Sequence, residues 1–317
     1  MQKVLITGAK GFFGTRVLDE FEKNGYITIG TDIAAFSTQQ NYFCADITSR
    51  EQLNETVPEI TCLIHVAGLA HIFNPKPDTD SLFKKINVLG TRNIVEIAAL
   101  RGVKHVVFIS SVSVYKKKLG LVSESDEIEP LSTYAKSKFE AEQLAIELAK
   151  KYGFKLTILR PATLFGEGDP GNVSRLIRQI KSKWFFMVGK GLNFKSLLHV
   201  KDAARACRLA FEKQTAQIEI FNVADEPRRM IEIINVIRHQ LKRKPVHWHV
   251  PLEPIFFLAR FLQFFPWLDS KVSRLDGTLR KFVEDDAYSA EKFKKELGFV
   301  VQEDFQAAIA EEIDSIC

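Results

Sequence analysis

The chain is poor in the devices that staple, anchor or charge unusual proteins. It has four cysteines in 317 residues, at 44, 62, 207 and 317, with no Cys-x-x-Cys spacing. Neither a disulfide framework nor a metal-ligand set is expected from them, and they read as packed thiols in a reducing compartment. A surplus of one charge is also missing, since 44 Lys and Arg face 39 Asp and Glu along the chain. That balance argues against a nucleic-acid partner. Repeats and low-complexity tracts are absent, and 46% hydrophobic with 26% charged residues excludes a disordered or collagen-like chain. No basic n-region with an apolar stretch and cleavage site precedes the first strand pattern, so no secretory signal is expected. A membrane span needs ~20 mainly apolar residues. Val250–Leu268 comes nearest, but Pro251, Glu253, Pro254, Arg260 and Pro266 interrupt it. The phenylalanines between Phe256 and Phe265 read either as a buried aromatic helix or as a face toward a membrane or partner. The expectation is a soluble, cytoplasmic protein without stable membrane insertion.

What the chain does have is regular alternation. Short β-type runs at Lys3–Thr7, Tyr26–Asp32, Cys62–Val66, Val106–Ser110 and Leu156–Arg160 alternate with helical patterns at Gly14–Asn24, Leu82–Arg101 and Thr133–Tyr152. Strands apolar on both faces, separated by helices, imply a parallel sheet covered on both sides. The fold class is therefore α/β: a Rossmann-type doubly wound parallel sheet with a smaller C-terminal α/β substrate-binding subdomain. Residues 1–165 form the dinucleotide-binding domain, parts of about 197–225 return to it, and 166–317 mainly form the substrate side.

In such a sheet ligands bind beyond the carboxyl ends of the strands, and the motifs fall there. Thr7-Gly8-Ala9-Lys10-Gly11-Phe12-Phe13-Gly14 follows the first strand and opens the first helix. Gly8 can turn tightly, Gly11 lets a pyrophosphate approach the backbone, and Gly14 lets helix and strand pack closely. Phe12 and Phe13 begin the helix whose free N–H groups face the phosphates. The second strand ends at Asp32, a carboxylate placed for the adenosine ribose. Asp32 would repel a 2′-phosphate, and Thr31, Ile33, Ala34 and Ala35 bring no cation, so the cofactor is NAD rather than NADP. Asp46-Ile47 would lie near the adenine, although Asp46 also reads as a loop or cap residue.

Tyr134 and Lys138 are four apart on one helix face. A phenol near pKa ~10 is a poor base at neutral pH, and an adjacent ammonium favours its phenolate. The same lysine could hold the nicotinamide ribose. Ser110-Ser111 ends the strand upstream, where a hydroxyl can orient a substrate oxygen.

These residues, taken in order, resemble the extended short-chain dehydrogenase/reductases, in the NAD-dependent epimerase/dehydratase branch that acts on nucleotide sugars. The resemblance is carried by TGAKGFFG (7–14), ADI (45–47), VAG (66–68), INVLGTRNIVEIA (86–98), SSVSVY (110–115), YAKSK (134–138) and RPATLFGEGDPGN (160–172). LLHVKDAARA (197–206), FNVADEP (221–227) and KKELGF (294–299) complete it. It implies Tyr134 as the acid/base, Lys138 as its lysine and Ser111 as the orienting hydroxyl. It also implies cofactor contacts near Gly68, Asn87 and Pro161, and substrate contacts at Asn172, at Lys195 and at an arginine clamp, for which Arg228, Arg229, Arg274 and Arg280 are candidates and Arg280 is the choice. A homodimer through the helices near 82–101 and 134–152 is implied as well.

Departures from the family narrow the chemistry. Sugar 4,6-dehydratases place an acidic pair directly after the active-site hydroxyl, where this chain has Val112 and Ser113. Neither can act as the general acid or base of an elimination. Ser113 also replaces the Cys of the bifunctional epimerase/reductases. The expected activity is a UDP-sugar 4-epimerase or 4-oxidoreductase. A hydroxysteroid- or flavonoid-type dehydrogenase and a non-catalytic NAD-binding subunit are the alternatives. Lys116-Lys117-Lys118 reads as a solvated loop or as a contact with an anionic substrate, and His199 as a loop anchor or, less simply, a catalytic group.

Overall fold

The computed structural model describes residues 2–34, 41–70, 78–182, 185–214, 216–246, 249–251 and 283–316. Seven strands form one parallel sheet: β1 (Lys3–Thr7), β2 (Ile27–Asp32), β3 (Tyr42–Cys44), β4 (Cys62–His65), β5 (His105–Ile109), β6 (Lys155–Pro161) and β7 (Ile218–Val223). Their order is β7-β6-β5-β4-β1-β2-β3, so the chain runs outward from β1 in one direction and then in the other. The reversal at β1/β4 leaves a crevice over the carboxyl ends of those strands. β4, β5 and most of β6 are buried on both faces, which is why their sequences are continuous apolar runs.

Helices α1 (Phe12–Lys23), α2 (Arg50–Thr56), α3 (Thr79–Phe83), α4 (Gly90–Leu100), α5 (Thr133–Tyr152), α6 (Asn172–Lys181), α7 (Val200–Lys213), α8 (Met230–Gln240), α9 (Glu291–Leu297) and α10 (Phe305–Ile316) complete the described elements. α1 and α7 close one face of the sheet over Val17, Phe21, Ala203 and Cys207; α4 and α5 close the other over Ile94, Ala98, Ala141 and Leu148. A third apolar cluster lies apart from the sheet, where α6, α8 and α10 pack through Ile177, Ile234 and Ile309. Short strand pairs connect it to the sheet layer: Thr163–Phe165 with Leu197–His199, and Phe194–Lys195 with Arg228–Arg229.

α5 coincides with its sequence pattern because both ends are chemically marked. The Ser132 hydroxyl accepts the Ala135 N–H at 3.1 Å, and Gly153 closes the helix at φ 77° in the left-handed region. The helix expected over 82–101 differs from its pattern. Lys84–Leu89 is a π-helical segment between α3 and α4. The Thr91 hydroxyl bonds the Asn87 carbonyl at 2.6 Å within it, and the wider turn carries Asn87 toward the loop after β4.

Ile64 lies in the middle of β4 with no exposed surface. Ile64→Ala is expected to lower unfolding free energy by about 3 kcal/mol, read as a fall in the urea midpoint at constant slope.

Candidate active site

The loop from β1 to α1 is built around two glycines that nothing larger can replace. Gly8 turns at φ 68°, and a Cβ on Gly14 would sit 1.9 Å from the Gly8 carbonyl oxygen. Gly11 begins α1 without a side-chain cap, so the helix presents the N–H end at Phe12 and Phe13 to whatever lies above it. The Lys10 N–H donates to Asp32 Oδ2 at 3.0 Å, which ties the carboxylate ending β2 across the mouth of this loop. Asp46 accepts the Thr48 N–H at 2.8 Å and serves the turn before α2, in keeping with the loop-or-cap reading. The buried Ile47 fills the space left by Gly90, where a Cβ would meet its Cδ1 at 2.6 Å.

The loop after β4 is fixed by a chain of hydrogen bonds through a fully buried histidine. Thr91 donates to the Asn87 carbonyl, so His65 Nε2 donates to Thr91 Oγ1 at 3.0 Å. His65 Nδ1 then accepts from the Thr7 hydroxyl at 2.7 Å, and Thr7 Oγ1 accepts the Ala67 N–H at 3.1 Å. Burial, with Lys138 adding to it, pushes the imidazole down to about 3, so it stays neutral with one proton, as the chain requires. Asn87 Oδ1 accepts the Leu69 N–H at 2.7 Å, while its Nδ2 donates to the Leu69 carbonyl at 3.0 Å and to Ser137 Oγ at 2.9 Å. The asparagine thus clamps the loop to α5. Gly68 lies inside this clamp: a Cβ there would stand 3.2 Å from Asn87 Oδ1 and 3.7 Å from Lys138 Nζ. Sequence reasoning assigned His65 no part in the site, because a single buried histidine carries no signal until Thr7 and Thr91 are seen beside it.

Ser111, Tyr134 and Lys138 come together at the carboxyl end of β5. Ser111 stands beside the Tyr134 hydroxyl, whose charged form it favours, and accepts the Ser113 N–H at 3.1 Å. Tyr134 is half-buried, with its ring 6.0 Å from that of Phe83. Lys138 is 6% exposed and makes no hydrogen bond among the described residues; its ammonium stands 4.8 Å from the centre of the Phe108 ring. The sequence reading expects this ammonium to draw the phenol down. In the structure burial dominates and raises the Tyr134 phenol, with the Ser111 hydrogen bond working against it. Burial pushes the lysine down to about 8, and Glu142 partly restores it.

Other predicted residues scatter. Pro161 ends β6 and lines one small apolar cavity with Phe13. Asn172 is the exposed first residue of α6. Lys195 is half-buried; burial lowers its pKa and Asp286 opposes that. Arg274, Arg280 and Phe256–Phe265 lie outside the described residues. Lys116 pairs with Glu127 and Glu129, Lys117 with Asp286 and Lys118 with Asp126, so the basic run is matched by carboxylates. Arg228 is bound to Asp225 at 2.6 Å. His199 is buried against Phe165 and Gly166, distant in sequence from the serine–tyrosine–lysine set, and packs the loop that precedes α7.

Lys138 yields a stability test, made on protein freed of dinucleotide. Its folded pKa lies below its unfolded one, so the cost of burying the charge is complete below pH 8. The unfolded chain binds the extra proton between about 8 and ~10.4, and wild-type stability rises with pH across that window. Lys138→Met is expected to be roughly 3 kcal/mol more stable than wild type at pH 7, with the gap closing by pH 10, as measured by urea unfolding at both values.

The glycine cradle, the Asp32 carboxylate at its mouth and a buried ammonium without an acceptor among the described residues fit a dinucleotide whose phosphates, adenosine ribose and nicotinamide ribose would fall in that order. Comparison with known proteins agrees. The N-acetylglucosaminyl-diphospho-undecaprenol 4-epimerase of Escherichia coli O157:H7 is 32% identical over 262 residues, 78% of this chain and 75% of that one. The sterol-4-alpha-carboxylate 3-dehydrogenase of Mus musculus is 25% identical over 316 residues, 94% of this chain and 86% of that one. The fold matches the Bacillus cereus UDP-glucuronic acid 4-epimerase in complex with NAD, with a TM-score of 0.78 at 21% identity over 99% of this chain and 96% of that one. Residues 4–224 match the NAD dependent epimerase/dehydratase family. By that match and by the cradle that carries it, the chain belongs to the NAD-dependent epimerase/dehydratase family, and its cofactor is NAD.

Proposed function

We propose that the protein is an NAD-dependent 4-epimerase of a hexose carried on a diphosphate, with a UDP-sugar as the first substrate to test. The observation that carries this reading is Ser111 beside Tyr134, followed in the chain by Val112 and Ser113, which offer no acid or base for elimination. NAD, when bound, would supply the two-electron acceptor and donor for hydrogen at the sugar's C4. Ser111 orients the C4 oxygen, Tyr134 removes its proton and gives it back, and Lys138 holds the nicotinamide ribose and favours the tyrosine's charged form. The His65 chain and the Asn87 clamp fix the loop at Gly68, past which the cofactor phosphates would run. This reading assigns the diphosphate to Lys195 and Asn172, both in the part of the chain from 166 to 317. A 4-keto sugar formed in the cleft then turns over before reduction.

The E. coli relative's name gives its sugar on an undecaprenol diphosphate, so a lipid-linked N-acetylglucosamine belongs in the same test. The second reading, a one-way dehydrogenase of a ring alcohol, is favoured by the sterol dehydrogenase relative; the three residues would act alike, with no hydrogen returned. We further propose a cytoplasmic homodimer acting in surface-polysaccharide synthesis. Leu82 (38% exposed), Leu89 (43%) and Tyr152 (37%) are apolar surface on the helices expected to pair. No helix among the described residues is long and apolar enough to cross a membrane.

The deciding experiment uses protein purified without added cofactor, with bound dinucleotide read by mass spectrometry. It is then given UDP-GlcNAc, UDP-glucose, the lipid-linked sugar and a sterol alcohol. Retained NAD and conversion to the galacto epimer with no net NADH are expected; accumulation of NADH from the sterol alone would overturn the epimerase. Tyr134→Phe should keep its NAD and lose about 10²–10⁴-fold in turnover.

A further inference from the structure

One turn beyond Lys138 on α5 stands Glu142, with no exposed surface. Side chains four apart on a helix lie about 5–6 Å from each other at Cβ. Both oxygens of Glu142 are gripped by Arg160 from β6, Oε1 by Nε at 2.9 Å and Oε2 by Nη2 at 2.6 Å. Arg160 Nη1 donates to the Tyr115 hydroxyl at 2.8 Å, which donates to Asn222 Oδ1 at 2.8 Å. Arg160, Tyr115 and Asn222 are themselves buried. The mechanism above uses none of these four groups. A buried ion pair is weak as a stabilising device, since desolvating both charges offsets most of their attraction, so stability alone does not account for one at this place.

Its position relative to Lys138 does. The ammonium has an aromatic ring on one side and no hydrogen-bond acceptor among the described residues, and Glu142 is the carboxylate whose charge acts on it. Among the described residues, the groups around this cluster on its own helix and its neighbours bring no second negative charge. His65 on β4 is neutral, Tyr134 on α5 and Tyr115 after β5 have phenols raised by burial, and Arg160 on β6 is a cation already matched to Glu142.

We propose that Glu142 is a positioning residue for Lys138, keeping the largely buried ammonium charged, while the Arg160 fork fixes where that carboxylate points. The proposal rests on the reading of Lys138 as the lysine that serves Tyr134 and the ribose. Arg160 suits the task because its planar fork aligns both carboxylate oxygens at once, which a lysine cannot do. The carboxylate is thereby prevented from swinging onto the ammonium, which leaves the Lys138 donors free for the cofactor.

The test is the titration of Lys138 itself, followed by NMR of protein labelled at the lysine ε-carbon and assigned by loss of the signal in Lys138→Met. In Glu142→Gln the midpoint is expected to fall by about one pH unit, the low end for removal of an adjacent opposite charge. The alkaline limb of kcat/KM for the holoenzyme should move with it, a loss of about fivefold at pH 8 with little loss at pH 6. Tyr115→Phe disturbs the same buried cluster without changing its charge and should leave the midpoint at the wild-type value. An unchanged midpoint in Glu142→Gln, or an equal fall in Tyr115→Phe, would overturn the proposal. Should Glu142→Gln fail to fold with Arg160 unpaired, Glu142→Gln/Arg160→Met removes both charges; a smaller fall supports the coupling and no fall refutes it. A lowered midpoint in a protein that turns over none of the sugars supports the coupling and counts against the functional reading.

Discussion

A single buried ammonium group organises this protein. Lys138 carries its charge into the interior, opposite the Phe108 ring and without a hydrogen-bond acceptor among the described residues. Desolvation of that kind is costly, and a protein tolerates it where the charge will meet a ligand. Around it the chain has placed neutral or already paired groups. His65 is held in one tautomer, Asn87 is occupied with the Leu69 backbone, and Arg160 is matched to Glu142. Cofactor binding would supply the acceptors that the folded chain withholds.

The same economy shapes the two loops beside that lysine. The β1–α1 loop closes only because Gly8 and Gly14 lack side chains, and the loop after β4 packs against Gly8 and is tied down by the relay from Ala67 through Thr7 and His65 to Thr91 and Asn87. The relay spans β1, β4 and the π-helical segment before α4, so a shift in any one of these elements is felt at Gly68. The π segment is part of this arrangement. Its widened turn carries Asn87 into contact with both the Leu69 backbone and Ser137 on α5, and so joins the phosphate side of the crevice to the helix bearing Tyr134.

Chemical restraint at the end of β5 matters as much as what is present. Val112 is buried and Ser113 is a neutral hydroxyl, so neither adds a general acid or base beside Tyr134. A site with one proton-transfer group and one hydride partner is suited to taking a hydrogen and giving it back, and poorly suited to breaking a C–O bond. The carboxylates that do lie near the surface, Asp126, Glu127, Glu129 and Asp286, are engaged with Lys116–Lys118.

The sequence by itself determined the sheet, the glycine cradle, the carboxylate of Asp32 at its mouth, and the approach of Ser111, Tyr134 and Lys138 to the end of β5. Each of these rests on local chemistry: strand and helix periodicity, glycines that only a tight turn needs, a carboxylate at a strand end, and residues one helical turn apart. Helix α5 was legible to the residue because Ser132 and Gly153 mark its ends. Tertiary structure alone decided the role of His65, whose partners lie 58 and 26 residues away, and the pairing of Glu142 with Arg160, 18 residues apart on a helix and a strand. It also decided that burial raises Tyr134 despite a lysine four residues on, because desolvation depends on everything packed around a group and not on its neighbours in the chain. Spacing brings residues to one face; only the packed fold says what medium they meet there.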